Sequence, residues 1–576
     1  MFFIEREMRG RRYRLAVESI WDSATQRSVP RQVILGPADP SCIVDLADTE
    51  HVGDMRLGDT GALAWVVEQL DVVGMIDRIC HETSCAGDVS LGEMVVAVAM
   101  QRACAPGPKC GLADFLGSSL PRACCLPAKL FTGQAFHRLA SRVEADQLDK
   151  VQVELAKAIV QRFGLSTSVL AYDTTNFDTY IDTTTPGELA RRGHAKSKRN
   201  DLRVVGLGVL ASETGHVPLL FRAYPGNASD QAVLGECLDG LGRLHDALDE
   251  GEGRKRSAHR TVVRDGGFWS EQLELELEFV GYHSIISLPM SHKAAQGALE
   301  SAARPGAMTS LKGDYKDVRA ARSRANIGEL ERTLVVVESK NLLEGQKRGI
   351  ASALLKARKE LRALQKRASQ GRISREALEL RVKKALGREH LSFFVVTDIG
   401  GTDKAPTFRW RVDAKLRRKL ETTRLGRRVL CTDRHSWGTE RIVHGFRGQW
   451  NVEEIFRRQK GGGLVPWGPS YQHADASLRL HTFACVLGVT LVSLVKLQLG
   501  AQCSIKSMMQ QLADMKVTLV KGRTGKPGRP PTAMIRPRLS PFQAAAAEVF
   551  ELGRWMPSIL SSIHRRQREA VPAGTS

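Results

Sequence analysis

The sequence lacks the long apolar segments of exported and membrane-spanning proteins. Its first residues, MFFIEREMRGRRYRL, place charges after only three apolar residues, so they lack the apolar core of a secretory signal. The longest apolar run, from Phe483 to Val495, is too short to span a bilayer and is closed by Lys496. We therefore expect a buried helix there and a cytoplasmic protein with no membrane partner.

Cysteine pairs with zinc-knuckle spacing are also missing. Eleven cysteines in a chain without an export signal suggest free thiols. Six of them lie near His81, at Cys80, Cys85, Cys104, Cys110, Cys124 and Cys125. This grouping leaves zinc binding open, but no pair has the two-residue gap typical of zinc knuckles.

Acidic residues are too few to balance the basic ones. With 84 Lys and Arg against 63 Asp and Glu, the formal net charge is +21. Such a surface attracts polyanions, and nucleic acid is the commonest polyanionic partner of a large basic chain. A basic proteome or a ribosome-associated factor is the alternative. The 576 residues, 42% of them hydrophobic, predict two to four domains.

The first third of the chain changes from strand to helix patterns. Residues 11–35 form two alternating runs around a polar turn, which predicts a β-hairpin. Residues 60–160 show helical periodicity interrupted by Pro/Gly-rich loops, which predicts a helical domain. This domain has either a DNA-binding or a purely structural role.

Strand patterns dominate from residue 168 onwards. The runs are SVLAYDTTNF, RVVGLGVLAS, VPLLFRAYPG, TVVRDGG and YHSIISLP, and helical stretches separate the later ones. This succession predicts a mixed α/β sheet domain.

A block at residues 342–388 is rich in Lys, Arg, Glu and Leu. Its apolar positions follow heptad steps, at Leu343, Ile350, Leu354, Ala357, Leu361 and Leu364. Gly371 breaks the run, so we expect an inserted helical hairpin. Strand patterns return in HLSFFVVTD and RRVLCTD.

The last segment, 504–576, carries twelve Lys and Arg against four Asp and Glu, and contains KGRTGKPGRPP. A Gly-Arg-Pro core can lie in an A·T minor groove. A solvated linker is the favoured interpretation.

Three acidic residues occupy comparable places in the predicted elements. Asp173 lies at the end of one apolar strand (VLAYDTT), Asp265 at the end of another (TVVRDGG), and Glu453 in a helix that follows a third (VLCTD). Carboxylates gathered at strand ends are the oxygen ligands that Mg²⁺ and Mn²⁺ prefer. Two such ions can drive an in-line phosphoryl displacement, for which the DNA phosphodiester is the natural target of a basic protein. Each acid taken alone is equally compatible with a turn or cap residue.

The sequence around these acids resembles a known family. The chain resembles DDE transposases of bacterial insertion sequences, in the group that contains the Tn-five and IS-four elements. The family motif Tyr-x2-Arg-x3-Glu-x6-Lys places its Glu on Glu453 and its Lys on Lys460. The Tyr and Arg positions hold Phe446 and Gln449, and the adjacent Arg447 can supply the missing charge. Further likeness lies in YRLAVESIWD, HAKSKR, GHVPLLFRAYPGN, VVRDGGFWS and HTFACVLGVTL.

The resemblance implies an α/β fold with a ribonuclease-H-like catalytic domain, an inserted strand-and-helical-hairpin region, and an N-terminal β-hairpin and helical domain. The expected segments are the N-terminal hairpin (1–50), the helical domain (51–165), the first catalytic part (166–292), the insertion (293–390), the second catalytic part (391–500) and the basic tail (501–576).

The resemblance also implies the reaction. Asp173, Asp265 and Glu453 would hold two Mg²⁺ ions, with Mn²⁺ as a substitute, for cleavage of double-stranded DNA at inverted-repeat ends and strand transfer into target DNA. The working form would be a homodimer in a synaptic complex, in the bacterial cytoplasm near the nucleoid. One alternative is a catalytically inactive DNA-binding relic, and another is a recombinase with a covalent Tyr- or Ser-DNA link. No tyrosine has an evident Arg- or His-flanked setting, which disfavours the recombinase.

Basic and aromatic residues around the acids are candidate DNA contacts. They are Lys460, Arg447, Trp450, Lys196, Lys198 and Arg199, the last three in a basic cluster with Arg191, Arg192 and Arg203. A solvated loop remains the alternative for the cluster, and core packing remains the alternative to base stacking for Trp450.

Helical geometry separates the two adjacent glutamates. Glu453 and Lys460 are seven residues apart, about two turns, and share one face. Glu454 is instead three and four residues from Arg457 and Arg458, as in an ordinary surface ion pair.

Overall fold

The structure is a computed structural model that describes residues 2–8, 10–22, 27–37, 49–81, 89–120, 128–251, 260–470, 472–522, 532–535 and 537–555. The chain divides into two compact units. The first consists of Met1–Arg260 with Trp450–Ser576, and the second is Thr261–Gln449.

The chain is mixed α/β. Its strands are β1 Phe2–Met8, β2 Arg11–Asp22, β3 Arg27–Pro37, β4 Thr49–Arg56, β5 Val169–Thr179, β6 Arg203–Ser212, β7 Pro218–Pro225, β8 Arg260–Arg264, β9 Tyr282–Ser287, β10 Thr309–Ser310, β11 Val318–Ile327, β12 Leu330–Ser339, β13 Val395–Gly401, β14 Pro406–Val412, β15 Arg427–Thr432, β16 Lys516–Gly522 and β17 Thr532–Ile535.

Its helices are α1 Gly58–Gln69, α2 Val72–Ile79, α3 Leu91–Cys104, α4 Leu112–Gly117, α5 Gly133–Ala140, α6 Ala145–Phe163, α7 Asp230–Glu236, α8 Leu238–Gly251, α9 Glu271–Phe279, α10 Lys293–Ala302, α11 Lys340–Ser369, α12 Arg375–Leu386, α13 Ala414–Thr423, α14 Thr439–Arg447, α15 Trp450–Gln459, α16 Asp475–Leu499, α17 Ile505–Ala513 and α18 Pro541–Val549.

The predicted N-terminal hairpin is present as β2 and β3, which pair antiparallel up to Asp22 and Arg27. The sequence pattern did not indicate β1, which pairs with the other side of β2, from Phe2 opposite Val17 to Met8 opposite Arg11. Three apolar residues followed by charges give β1 no long alternating run, so its pairing with β2 has no strong local signal.

Apolar helix α16 forms the centre of the first unit. It contacts α1, α3, α5 and α6, and its residues from Ser477 to Val495 are almost all buried. Among the described helices it alone is long and apolar enough to cross a bilayer, but 89% of its apolar window is buried inside the protein, as in a core helix. The expectation of a buried helix is confirmed.

The segment expected as a basic tail contains folded elements. Strand β16 pairs antiparallel with β4 and with β17, so a strand from residues 49–56 shares a sheet with strands from the C-terminal part of the chain. Met508, Leu512 and Phe550 are buried and anchor α17 and the end of α18. These apolar side chains outweigh the basic composition of the segment. The Gly-Arg-Pro core lies outside the described residues.

Strands β5, β6 and β7 form an antiparallel group in the first unit, in the order β7-β6-β5. In the register of β5 and β6, Asp173 lies opposite Val209. Helix α15 contacts both β5 and β6. This contact is possible because Val452, Ile455 and Phe456 are buried on one face of the helix.

The second unit contains a sheet in the order β10-β11-β12-β15-β9-β8 and a separate hairpin of β13 and β14. The predicted helical hairpin is present as α11 and α12, with Gly371 in the turn at φ +63°. The heptad positions from Ile350 to Leu364 are buried.

The hydrophobic cluster around this seam continues beyond the second helix. It includes Leu391, Phe394, Phe408, Leu420 and Leu425. The expected boundary at residue 390 therefore divides one hydrophobic cluster, because the seam packs against the β13-β14 hairpin as well as against α12.

Candidate functional site

Asp173 lies inside a strand, and the prediction that it ends one was wrong. It is the fifth residue of β5, which continues through Thr174, Thr175 and Asn176 to Thr179. The polar residues after Asp173 resemble a strand end in sequence, but β-branched threonines suit strands and pair here with β6. Asp173 is half-buried, and its Oδ1 accepts a hydrogen bond of 2.7 Å from the backbone N–H of Thr174.

Two lysines, Lys196 and Lys460, lie near Asp173. The ammonium of Lys196 donates to the Thr174 carbonyl, and the Lys196 backbone N–H donates to Asn176 Oδ1 at 3.0 Å. Burial lowers the pKa of Lys460, and the charge of Lys196 lowers this pKa further, while Asp173 opposes the shift. An anion placed between the two ammonium groups would relieve their mutual repulsion.

The adjacent glutamates of α15 have different surroundings. Glu453 is exposed, and within its own unit its carboxylate makes no hydrogen bond or ion pair with a described residue. Glu454 forms ion pairs with Arg457 at 2.7 Å and Arg458 at 3.5 Å, as its spacing predicted.

The expectation that Glu454 is a surface residue needs correction. Its side chain is only 22% exposed, and that of its partner Arg458 is 6% exposed. Arg458 Nη1 donates to Ser493 Oγ of α16 at 2.9 Å. Glu454 therefore helps to fix α15 to the core helix, and Glu453 is left to project into solvent.

The first turn of α15 is held by polar and aromatic contacts. Asn451 Nδ2 donates to the carbonyls of Ser212 and Glu213, at the end of β6. Trp450 remains 52% exposed and packs edge-on against His216, with ring centroids 4.9 Å apart. Burial and the nearby charge of Arg458 lower the pKa of His216 to about 4. The exposure of Trp450 disfavours the alternative that it is a core residue.

The predicted basic cluster lies in a loop fixed by a close backbone approach. A Cβ on Gly193 would lie 1.9 Å from the carbonyl oxygen of Gly226, so only glycine fits there. Lys198 is exposed with φ +67°, and Arg199 is held by Asp201 in two hydrogen bonds of 2.8 and 2.6 Å. Arg199 is thus partly neutralised, whereas no described acidic residue of its unit pairs with Lys198.

In the second unit, Asp265 directly follows β8, as predicted. It is exposed and precedes the short 3-10 turn Gly266–Phe268, but its side chain makes no capping hydrogen bond. The carboxylate therefore does not act as a cap.

Asp265 lies in a cleft of about 590 Å³ with a basic wall. Arg424, Arg427 and Arg428, from the end of α13 and the start of β15, line it together with Gln346 of α11. Arg427 is paired with Glu338 at 2.9 Å. Sequence reasoning missed these arginines, although the run RLGRR before a predicted strand was a visible signal.

The two positions that depart from the family motif are core residues in this fold. Phe446 is 9% exposed and Gln449 is 8% exposed. Arg447 is on the surface, and its guanidinium lies over the ring of Tyr315 at 4.5 Å. Of these three side chains, only Arg447 is available to a ligand.

In the ranges that the structure describes, no group of three or more His, Cys, Asp and Glu side chains is arranged to hold a metal ion. Cys85, Cys124 and Cys125 lie outside those ranges, while Cys80, Cys104 and Cys110 are free thiols. The structure thus brings Asp173, Lys196 and Lys460 into one neighbourhood, beside the helix of Glu453. Within the second unit, it places Asp265 in a basic cleft.

No protein-family model matches the chain, and no curated protein matches it. Among solved structures, it is similar to a cryo-EM structure of the piggyBac transposase synaptic complex with hairpin DNA, with 10% sequence identity and a TM-score of 0.37. The match covers 90% of this chain and 86% of that one. At this TM-score the likeness carries no functional argument.

Proposed function

We propose that the protein is a DNA transposase of the DDE type, with a ribonuclease-H-like catalytic core. It would cleave double-stranded DNA at the ends of a mobile element and transfer the freed strand into target DNA. One observation carries the proposal. Helix α15, with Glu453 projecting from it, packs on β6 and on β5, the strand of Asp173. The charges of Asp173 and Lys196 both act on Lys460, which follows the helix.

The charges of this region suit a phosphodiester substrate. Lys196 and Lys460 would neutralise phosphate oxygens beside Asp173, and Lys198 would extend the contact along the strand. Trp450, half exposed beside this region, presents an aromatic face on which a base can stack. In the second unit, the arginines of the cleft would neutralise a phosphate near Asp265.

The resemblance assigns Asp173, Asp265 and Glu453 to two Mg²⁺ ions. These side chains suit the role because they are hard oxygen donors, and Asp265 and Glu453 have no competing partner among the described residues of their own units. Mg²⁺ is usually held by one or two carboxylates together with substrate phosphates, so three preassembled protein ligands are not required. When bound, Mg²⁺ or Mn²⁺ would activate the attacking oxygen and stabilise the leaving one.

The proposed function also implies an oligomeric state. Both ends of an element must be processed together, so the working form would be a homodimer on two DNA ends, in the bacterial cytoplasm near the nucleoid.

A second candidate function is DNA binding without cleavage. Phe446 and Gln449 occupy motif positions that hold Tyr and Arg in the family, and both are buried. A relic that had lost these phosphate contacts would keep the basic surfaces and lose catalysis.

The test is a nicking assay with Mn²⁺ on DNA that carries the sequences flanking the coding region. Wild type is compared with Glu453→Gln and with the matched neighbour Glu454→Gln. We expect Glu453→Gln to bind this DNA normally and to lose nicking by about 100-fold or more. Glu454→Gln should nick within a few-fold of wild type at low temperature.

The outcomes separate the candidates. Equal nicking by wild type and Glu453→Gln would show that the proposed site is wrong. Tight DNA binding by a wild type that never nicks would favour the relic. Cleavage that persists in EDTA and leaves a protein-DNA adduct would favour the recombinase.

A further inference from the structure

The two sequence neighbours of Asp265 are both fixed to the interior of the second unit. Arg264, the last residue of β8, is fully buried, and Gly266 begins the 3-10 turn. Successive side chains of an extended segment point to opposite faces, so Arg264 points away from the cleft that contains the Asp265 carboxylate. Arginine is rarely fully buried, and its contacts therefore require an explanation.

Arg264 makes polar contacts with two neighbouring elements, α9 and β9. Its Nη2 donates to Glu274 Oε1 of α9 and to Ser284 Oγ of β9, the latter at 2.7 Å. Glu274 is also buried, and its Oε2 lies 3.9 Å from Nη2 of a second buried arginine, Arg332 of β12. Arg332 in turn pairs with Glu278 of α9 at 2.5 Å. We call Arg264, Glu274 and Arg332 the buried charge cluster.

Stability alone does not explain the buried charge cluster. Nε and Nη1 of Arg264 and Nε of Arg332 find no hydrogen-bond acceptor among the described residues of the second unit. Packed apolar side chains can often replace such charges without loss of stability, because desolvation offsets the attraction between them. An ion pair does, however, require its groups to keep a defined distance and orientation. The cluster is therefore better suited to fixing local geometry than to stabilising the fold.

The ion pair between Arg264 and Glu274 encloses Asp265. The paired residues are ten positions apart, and the segment between them contains Asp265, the 3-10 turn and the start of α9. This contact holds both ends of the segment. It therefore restricts the positions that the backbone of Asp265 can take.

A close backbone approach holds the residue after Asp265. A Cβ on Gly266 would lie 2.6 Å from the carbonyl oxygen of Ser287, at the end of β9, so a larger residue would displace the turn. Phe268, the last residue of the turn, is buried. The chain is thus fixed to β9 on both sides of Asp265, through Ser284 before it and Ser287 after it.

We propose that Arg264 is a positioning residue, which acts through Glu274 and Ser284 to hold the Asp265 carboxylate where it can bind a divalent cation. The inference rests on the proposed function, because it takes Asp265 as a metal ligand. It adds a residue that touches neither the metal nor DNA. Groups that orient a metal ligand change metal affinity or activity by about 10–100-fold. Loss of Arg264 should therefore weaken metal binding while the ligand itself remains.

The test uses the full chain and a matched control. Arg264→Met removes the charge and the donors of a buried arginine, and Arg264→Lys keeps the charge. The control, Arg324→Met, makes the same exchange in an exposed ion pair of the same unit, where Arg324 pairs with Glu331 at 2.8 Å. Urea unfolding shows which variants are folded. If Arg264→Met is not, it is replaced by Arg264→Met with Glu274→Gln, which removes both charges of the pair.

The first measurement is amide hydrogen exchange without metal or DNA. The amides of Phe268 and Trp269 donate to the carbonyls of Asp265 and Gly266, so their exchange reports opening of the turn. We expect exchange to be about tenfold or more faster in Arg264→Met, intermediate in Arg264→Lys and unchanged in Arg324→Met. Unchanged exchange in Arg264→Met would overturn the proposal, whether or not the protein cleaves DNA.

The second measurement is the Mn²⁺ concentration that gives half-maximal nicking. We expect it to rise by about tenfold or more in Arg264→Met, less in Arg264→Lys and not in Arg324→Met, with nicking regained at saturating Mn²⁺. A purely structural role would instead lower nicking equally at every Mn²⁺ concentration, and that result would overturn the proposal. A wild type that never nicks would refute the proposed function and this inference with it, whereas a nicking wild type whose Mn²⁺ dependence Arg264→Met shares would refute this inference alone.

Discussion

The ion pair between Glu454 and Arg458 allows a quantitative test of how α15 is held. Replacing Glu454 by Gln keeps the volume of the side chain and removes its charge. Arg458, 6% exposed, then lacks its carboxylate partner. Removing one partner of a fully buried pair costs about 3–5 kcal/mol, and the 22% exposure of Glu454 reduces this because water screens part of the interaction. We therefore expect a loss of about 2 kcal/mol in the local stability of the helix.

Hydrogen exchange of backbone amides measures this local stability. When closing is faster than exchange, the exchange rate is proportional to the opening constant, so about 2 kcal/mol accelerates exchange in α15 by roughly 30-fold. Glu453→Gln is the matched control, because Glu453 is exposed and makes no ion pair with a described residue of its unit. Amide exchange in α15 of this variant should stay close to that of wild type. If the two variants exchange at the same rate, the ion pair does not hold the helix and the reasoning fails.

Two further predictions concern packing and pH. Leu361 is fully buried and Leu355 is 64% exposed on the same helix. In urea unfolding of the second unit, Leu361→Ala should lower the free energy of unfolding by about 2–5 kcal/mol, and Leu355→Ala by less than about 0.5 kcal/mol. Similar losses in the two variants would show that the seam is not part of a hydrophobic core. The folded-state pKa of His216 is about 4, below its ordinary value of 6.5, so the unfolded chain binds the proton more tightly and His216 lowers stability progressively as the pH falls from 6.5 toward 4. His216→Asn, which tolerates the φ of +53°, should lose urea stability less steeply than wild type between pH 7.5 and 5, whereas parallel losses would contradict this origin.

Strands with strong local patterns were predictable from the sequence. Strand β6 was predicted at its observed bounds, and β5 and β9 nearly so, because β-branched and apolar residues predominate in each of these strands. The heptad steps of α11 likewise predicted its buried seam. In these segments, local propensity and the final packing favour the same structure.

Long-range pairings were not predictable. Strands β4 and β16 are separated by more than 450 residues, and neither carries a pattern that selects the other. Helix α16 is apolar on all sides, so its sequence predicts burial but not which helices surround it. The basic cleft at Asp265 is lined by segments near residues 265, 289, 346 and 425, which only the fold brings together.

In the candidate site, too, local contacts were predictable from the sequence and long-range contacts were not. Spacing alone predicted that Glu454 would pair with Arg457 and Arg458, since neighbours on a helix surface follow from its period. It did not predict that Arg458 is buried, because that depends on Ser493 in a helix from another part of the chain.

Strand β4 cannot pair with β16 until the ribosome has synthesised residues 516–522. Residues 261–449 form a unit of their own and leave the ribosome before the last strands and α16 of the first unit are made. At about 5–20 residues per second, the 336 residues from 164 to 499 take roughly 17–67 s to add. During that interval the helices of residues 58–163 lack their central partner, so we expect them to expose apolar surface until α16 has been made.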